Sequence, residues 1–103
     1  MNTTYIYAIT NGTQIKIGYS GNVKRRLKQL NTGSADKLYI LCTFIGGREL
    51  EQEIHIKFGY NRINGEWFKV DQDMLDYLNS MSQDKYVDWD GSGKLVGYLK
   101  IKM

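Results

Sequence analysis

Four short segments hold the side chains with which this chain could do chemistry. Tyr5-Ile6-Tyr7 comes first, then Lys16-Ile17-Gly18, then Arg26, then Glu51. Aromatic hydroxyls, a lysine, an arginine and a carboxylate form a set suited to cutting a phosphodiester with one metal ion. A phosphodiester in mid-hydrolysis gathers negative charge on its non-bridging oxygens, and Arg26 offers fixed donors for them. Glu51 is acceptor-only and suits a hard cation. Such a cation polarises the phosphate and stabilises the leaving oxygen. A tyrosine or lysine of lowered pKa would take the proton of the attacking water. His55, the only histidine, follows Glu51 by four residues and so shares its helix face, either as a second base or a phosphate contact or as a partly buried histidine held by a backbone hydrogen bond.

Taken singly, each residue has an ordinary reading. Arg26 is then a solvated helix arginine, and Glu51 a surface charge beside Glu49 and Glu53. Glu66 is a turn acid, Trp67 and Phe68 are core, and Tyr5, Tyr7 and Tyr39 are strand aromatics. Order and spacing, not any one residue, support the joint reading.

The elements that must position these groups follow from periodicity. Residues 5–9 alternate as a strand, Asn11-Gly12 marks a hairpin whose two turn residues both tolerate positive φ, and residues 15–17 read as the returning strand. Gly18 either ends that strand or allows a close backbone approach. Ser20-Gly21-Asn22 supplies N-cap candidates for a helix with Val23, Leu27 and Leu30 on one face. The apolar run of residues 38–45 reads as a central strand. Residues 48–58 form a helix with Leu50, Ile54 and Phe58 inward, and Gly59 stops it. A short strand at 65–70 precedes a helix capped by Asp71, with Met74, Leu75, Leu78 and Met81 as its buried stripe. Residues 88–93 read as a turn and 95–101 as a last strand, with Lys100 and Lys102 blunting an exposed edge. The fold class is α+β, a small, largely antiparallel central sheet flanked by helices, with a β-rich C-terminal tail.

At 103 residues the chain reads as one domain. Residues 1–70 form the core, and 71–103 a helix and β-rich tail completing the same domain. Residues 1–69 carry ten Lys/Arg against five Asp/Glu, and 70–103 carry four against six, so a polyanion should dock on the first part. No apolar run approaches the ~20 residues of a membrane span, and no signal-peptide pattern opens the chain. Cys42, the only cysteine, lies in an apolar run and reads as a buried structural thiol. These features fit a cytoplasmic, reducing setting without disulfide or zinc site.

With these residues in place, the chain resembles the GIY-YIG nuclease superfamily over about residues 5–70. It is most similar to a short phage and bacterial subgroup with a Lys-Ile-Gly second motif and a late Gly-Glu-Trp-Phe, here Gly65-Glu66-Trp67-Phe68. The resemblance places Tyr7 at the first-motif tyrosine, Lys16 at the second-motif tyrosine, Arg26 at the helix arginine and Glu51 at the metal-binding glutamate. It implies hydrolysis of DNA phosphodiesters with one divalent ion, Mg2+ or Mn2+. Tyr19 stands where repair members carry a lysine, so lysine and tyrosine have traded places, and a lysine beside a phenol lowers its pKa. A late asparagine is matched by Asn61 or Asn64.

The catalytic set expected is Tyr7, Lys16, Tyr19, Arg26, Glu51 and His55, with Glu51 on the metal. Lys24, Arg25, Lys28 and Lys57 would contact phosphates, giving affinity and salt dependence rather than sequence readout. The partner is DNA, with RNA left open, and the chain is a monomer or weak homodimer that nicks at one active site. Two other readings stay open: a non-cleaving module that binds nucleic acid, nucleotide or a protein partner, and an interaction surface built from Tyr86, Trp89, Val96 and Tyr98.

Overall fold

The computed structural model describes residues 2–100. In chain order the elements are β1 (Tyr5–Thr10), β2 (Gln14–Ser20), α1 (Val23–Thr32), β3 (Tyr39–Ile45), α2 (Arg48–Lys57), a 3-10 turn (Gly59–Asn61), β4 (Arg62–Asn64), β5 (Trp67–Lys69), α3 (Gln72–Met81), β6 (Lys85–Trp89) and β7 (Leu95–Leu99). The first five strands form one sheet in the order β3-β1-β2-β5-β4, and β6-β7 form a second, two-stranded sheet. Every strand pair is antiparallel, so the α+β expectation holds.

The β1–β2 register explains how the sheet divides its residues. Ile6, Ala8, Ile15 and Ile17 point to one face, where they join Phe44, Ile54, Phe58, Phe68, Leu75 and Leu78 in the main core. Helices α2 and α3 and the β6–β7 hairpin supply that layer. Tyr7 and Ile9 point to the other face, where Val23, Leu27 and Leu30 of α1 cover them. Burying one such aliphatic or aromatic side chain is worth roughly 1.5–3 kcal/mol. The larger core therefore supplies most of the stability, while α1 is held by a thin apolar stripe and keeps its basic face in solvent.

Helix starts follow the capping residues. Asn22 caps α1 by accepting from the Arg25 amide, and Asp71 caps α3 by accepting from the Met74 amide at 2.9 Å. Burial works against the Asp71 carboxylate, but the Met74 amide bond and the nearby polar groups of Asn61 and Tyr60 outweigh it and hold its pKa below the usual range. Asn61 lies beside Asp71, its side-chain nitrogen buried and without a hydrogen-bond partner among the described residues, whereas Asn64 is exposed on β4 opposite Trp67.

The structure corrects several expectations. The apolar run of β3 lies at the sheet's edge rather than its centre; it is apolar because the sheet's two cores and the β6–β7 hairpin bury its faces. In the first turn only Gly12 has positive φ, at 110°, while Asn11 keeps a negative φ. The Asn11 side chain instead accepts from the Thr13 and Gln14 amides. Gly18 does not end β2, which runs on to Ser20. The segment 65–70 is one arm of a hairpin, since β4 precedes it with three exposed residues of which only Ile63 is apolar, too little for a periodic signal. Asp88 and Trp89 belong to β6, and the turn begins at Asp90, whose side chain accepts from the Ser92 and Lys94 amides. Lys100 does not blunt an edge; its Nζ donates to the carbonyls of Asn79 and Ser82 at the end of α3. Ile101 and Lys102 lie outside the described residues.

The β6–β7 hairpin is locked to the rest of the chain from two sides. The Asn79 side chain donates to the Val87 carbonyl and accepts from its amide. The Leu95 amide donates to the Gly12 carbonyl at 2.7 Å. Gly97 passes so close to β3 that an added Cβ would sit 2.5 Å from the Leu41 carbonyl oxygen. Among the described residues no helix is long and apolar enough to cross a membrane. Cys42 is buried, and burial pushes its thiol up to about 12.

Gly97→Ala is expected to cost about 1–3 kcal/mol in urea unfolding, the range for forcing atoms into a packed site. Gly91→Ala, with open space around it, is the control and should leave the midpoint nearly unchanged. Equal midpoints for both variants would refute the close approach of β7 to β3.

Candidate functional site

The site sits where β2 outruns its partner. β5 pairs with β2 only over Gln14–Lys16. Beyond that point Ile17 presents its amide and carbonyl to the same side. The amide donates to the Glu66 carbonyl at 3.0 Å. The carbonyl, 2.9 Å from His55 Nε2, accepts the ring's proton, because a carbonyl oxygen can only accept. His55 is further fixed edge-on to Phe68, with ring centroids 5.0 Å apart. With Nε2 donating to the carbonyl, Nδ1 is the ring nitrogen left for another partner.

Glu51 lies one turn before His55 on α2, and Glu66 lies in the β4–β5 turn. Glu51, His55 and Glu66 can each present one ligand atom such that all three atoms fall within 4.8 Å of one another. All three are half-buried. Burial raises the Glu51 pKa above the usual carboxylate value and the Glu66 charge raises it further; His55, Arg48 and Lys16 offset this only in part. Two carboxylates and one imidazole nitrogen around one point are a donor set that fits a divalent cation.

On the other face of β2 the remaining groups converge. Lys16 and Gly18 share that face with Tyr7. The Lys16 ammonium lies 3.3 Å from Glu66 Oε1 and 5.6 Å from the Trp67 ring centre, and its side chain is only 14% exposed. The Tyr7 ring lies directly over Gly18, where an added Cβ would overlap its hydroxyl. This is the close approach that Gly18 permits. The Arg26 guanidinium, on α1, lies near the Tyr7 hydroxyl. Burial raises the Tyr7 pKa; the neighbouring Arg26 guanidinium lowers it, but not enough to cancel burial and the Glu66 and Glu51 charges. Tyr7 is thus a neutral phenol at ordinary pH and not a ready base.

The structure brings Tyr7, Lys16, Arg26, Glu51 and His55 to one place. It parts Lys16 from Tyr19: three residues along a strand put their side chains on opposite faces, roughly 10 Å apart along the chain. A direct lysine–phenol pair is not formed, and Tyr19 stands exposed beside Ile6 on the α2 side. Lys24, Arg25 and Lys28 are exposed on α1, which has no acidic residue. Lys57 points elsewhere, over the rings of Phe58 and Tyr77 and into a groove with Asp73 and Asp76. Its place two residues after His55 turns it about 200° around α2. Glu66 is the group that reading residue by residue missed. A turn acid has no periodicity to mark it, and only the Gly-Glu-Trp-Phe string pointed there.

A family model described as the T5orf172 domain matches residues 4–81, a span from before β1 to the end of α3. Neither a curated protein nor a solved structure matches the chain.

Two measurements check this geometry. In ultraviolet titration, the wild-type minus Tyr7→Phe difference should show no ionisation at the ordinary tyrosine pKa of 10.0. Because folding raises this pKa, its contribution to stability is complete below the ordinary value and is lost as pH rises above it. Tyr7→Phe should accordingly gain on wild type only in alkali. Gly18→Ala should displace the Tyr7 ring and cost about 1–3 kcal/mol in stability; a Tyr7 that titrates normally, or a Gly18→Ala as stable as wild type, would contradict the packing described.

Proposed function

Since the chain belongs to the T5orf172 domain family, we propose that it is a metal-dependent endonuclease or nickase that hydrolyses DNA phosphodiesters at one site. The family's domain occurs in phage and bacterial nuclease-like proteins, and we read its form here as GIY-YIG-like. One observation carries this reading. The Tyr7–Arg26 pair and the Glu51–His55–Glu66 group come from separate elements and meet at the open end of β2.

In this reading α1 is the electrostatic guide. Lys24, Arg25 and Lys28 hold the backbone of the nucleic acid by phosphate contacts, so binding weakens steeply with salt. Arg26 places fixed N–H donors on the non-bridging oxygens of the scissile phosphate, where charge grows in the transition state. The Tyr7 hydroxyl, near Arg26 and buried on its other side, would help aim the guanidinium and exclude water. Lys16 adds a second positive charge on the same face. Glu51, with His55 and Glu66 beside it, would hold a divalent ion, which when bound polarises the phosphate and stabilises the leaving oxygen. Hydrolysis adds water across the P–O bond, leaving a phosphomonoester on one side and a hydroxyl on the other. One such site per chain makes a nick rather than a double-strand break.

A second reading rests on the Lys16–Glu66 ion pair. A lysine at the tyrosine position, paired with a carboxylate at the site, suits a module that binds nucleic acid without cutting it.

A supercoiled-plasmid assay at low salt separates the two. Wild type should convert supercoiled to open-circular DNA in Mg2+ or Mn2+ and not in chelator. Arg26→Ala should fall on the order of 100-fold or more, the usual loss for one charge-stabilising group, and Glu51→Ala should be inactive while still retarding DNA. Retardation without nicking by wild type in either metal would favour the binding module. Nicking that survives in Glu51→Ala would overturn the site assignment.

A further inference from the structure

We propose that the ion is held by three side chains, Glu51, His55 and Glu66, and that Lys16 is the resident counter-cation that a metal must displace from Glu66. The proposal rests on the nuclease reading for its expectation of an ion, and on this chain's own geometry for the ligands.

The argument begins with the histidine. Its Nε2–H is committed to the Ile17 carbonyl, which fixes the tautomer and leaves the Nδ1 lone pair for a ligand. A ring nitrogen donating to a carbonyl is the usual arrangement for a histidine that binds metal through its other nitrogen. Glu51 lies on the same face of the same helix, one turn away. Glu66 arrives from a different element, and its place is set by its own backbone carbonyl, which accepts from Ile17. Both partners of the Ile17 peptide groups are therefore members of the trio. A single residue of β2 positions two of the three ligands.

Charge gives the second part. Lys16 is the cation paired with Glu66, at 3.3 Å and largely covered. A divalent ion bound to Glu66 would repel that ammonium and free it from the carboxylate, on the face of the sheet it shares with Tyr7. Binding the ion would then also free a positive charge for the scissile phosphate.

The donor set also bears on which ion is chosen. Mg2+ keeps most of its water and takes one or two carboxylates, whereas an imidazole nitrogen favours later divalent ions. Two carboxylates and one imidazole should therefore prefer Mn2+ over Mg2+ in the DNA-free protein.

The test is titration of the DNA-free chain with Mn2+ alone, by calorimetry and by electron paramagnetic resonance, with melting in chelator to verify each fold. Wild type should bind one Mn2+ at least about tenfold more tightly than Mg2+, with a nitrogen coupling in the pulsed spectrum that His55→Ala abolishes. Glu66→Gln should lose about 10- to 100-fold in Mn2+ affinity, and Lys16→Met should gain several-fold because the competing charge is gone. Unchanged Mn2+ affinity in Glu66→Gln, no nitrogen coupling in wild type, or no binding at all would overturn the three-ligand site. Unchanged affinity in Lys16→Met would overturn the counter-cation. Three-ligand Mn2+ binding without DNA nicking would sink the nuclease reading and leave this proposal standing. Metal-dependent nicking with Glu66→Gln binding Mn2+ like wild type would do the reverse.

Discussion

Ile17 is the residue on which the rest of the site depends. Its side chain is fully buried in the main core, and its two peptide groups face the side of β2 that β5 no longer covers. A buried backbone donor or acceptor left unpaired costs about 1–3 kcal/mol. The chain meets that demand with the Glu66 carbonyl and the His55 ring. The need to satisfy one strand end thus pulls the β4–β5 turn and helix α2 onto the same few ångströms of β2. A complete fifth strand at this point would have closed the ladder and left no room for a site.

The second constraint is the sharing of charge across the strand. On the α1 face Arg26 and Lys16 are positive; at the strand's open side Glu51 and Glu66 are negative. Lys16 bridges the two groups through Glu66. Burial without full compensation is visible at Glu51, whose pKa is raised by desolvation and by its neighbour Glu66. A bound cation would relieve both. Tyr7 shows the opposite solution: a phenol buried beneath α1 stays neutral at ordinary pH, with the exposed Arg26 guanidinium near its hydroxyl. Gly18 makes this possible by leaving space beneath the Tyr7 ring.

The acidic and basic parts of the sequence also separate in space. Basic residues line α1 on one face of the sheet, while Asp73 and Asp76 lie on α3 on the other. Lys57, although near Glu51 in sequence, goes with α3 because its helix turns it there. Sequence distance alone misplaced it.

Much of the fold was legible in the residues. Alternation marked β1 and β2, spacing marked the inward apolar stripes of α1, α2 and α3, and Asn22 and Asp71 marked two helix starts, because these signals are local and depend on backbone geometry. The exposed β4 and the polar-interrupted β6 have no such signal, and the edge position of β3 is decided by pairing rather than by its own composition. The order Tyr7, Lys16, Arg26, Glu51, His55 pointed to one shared site. Its completion by Glu66, and the parting of Lys16 from Tyr19, are tertiary facts. A residue's face on a strand is fixed by the register with its neighbours, and a turn acid acquires a role only when a strand end far from it in sequence needs its carbonyl.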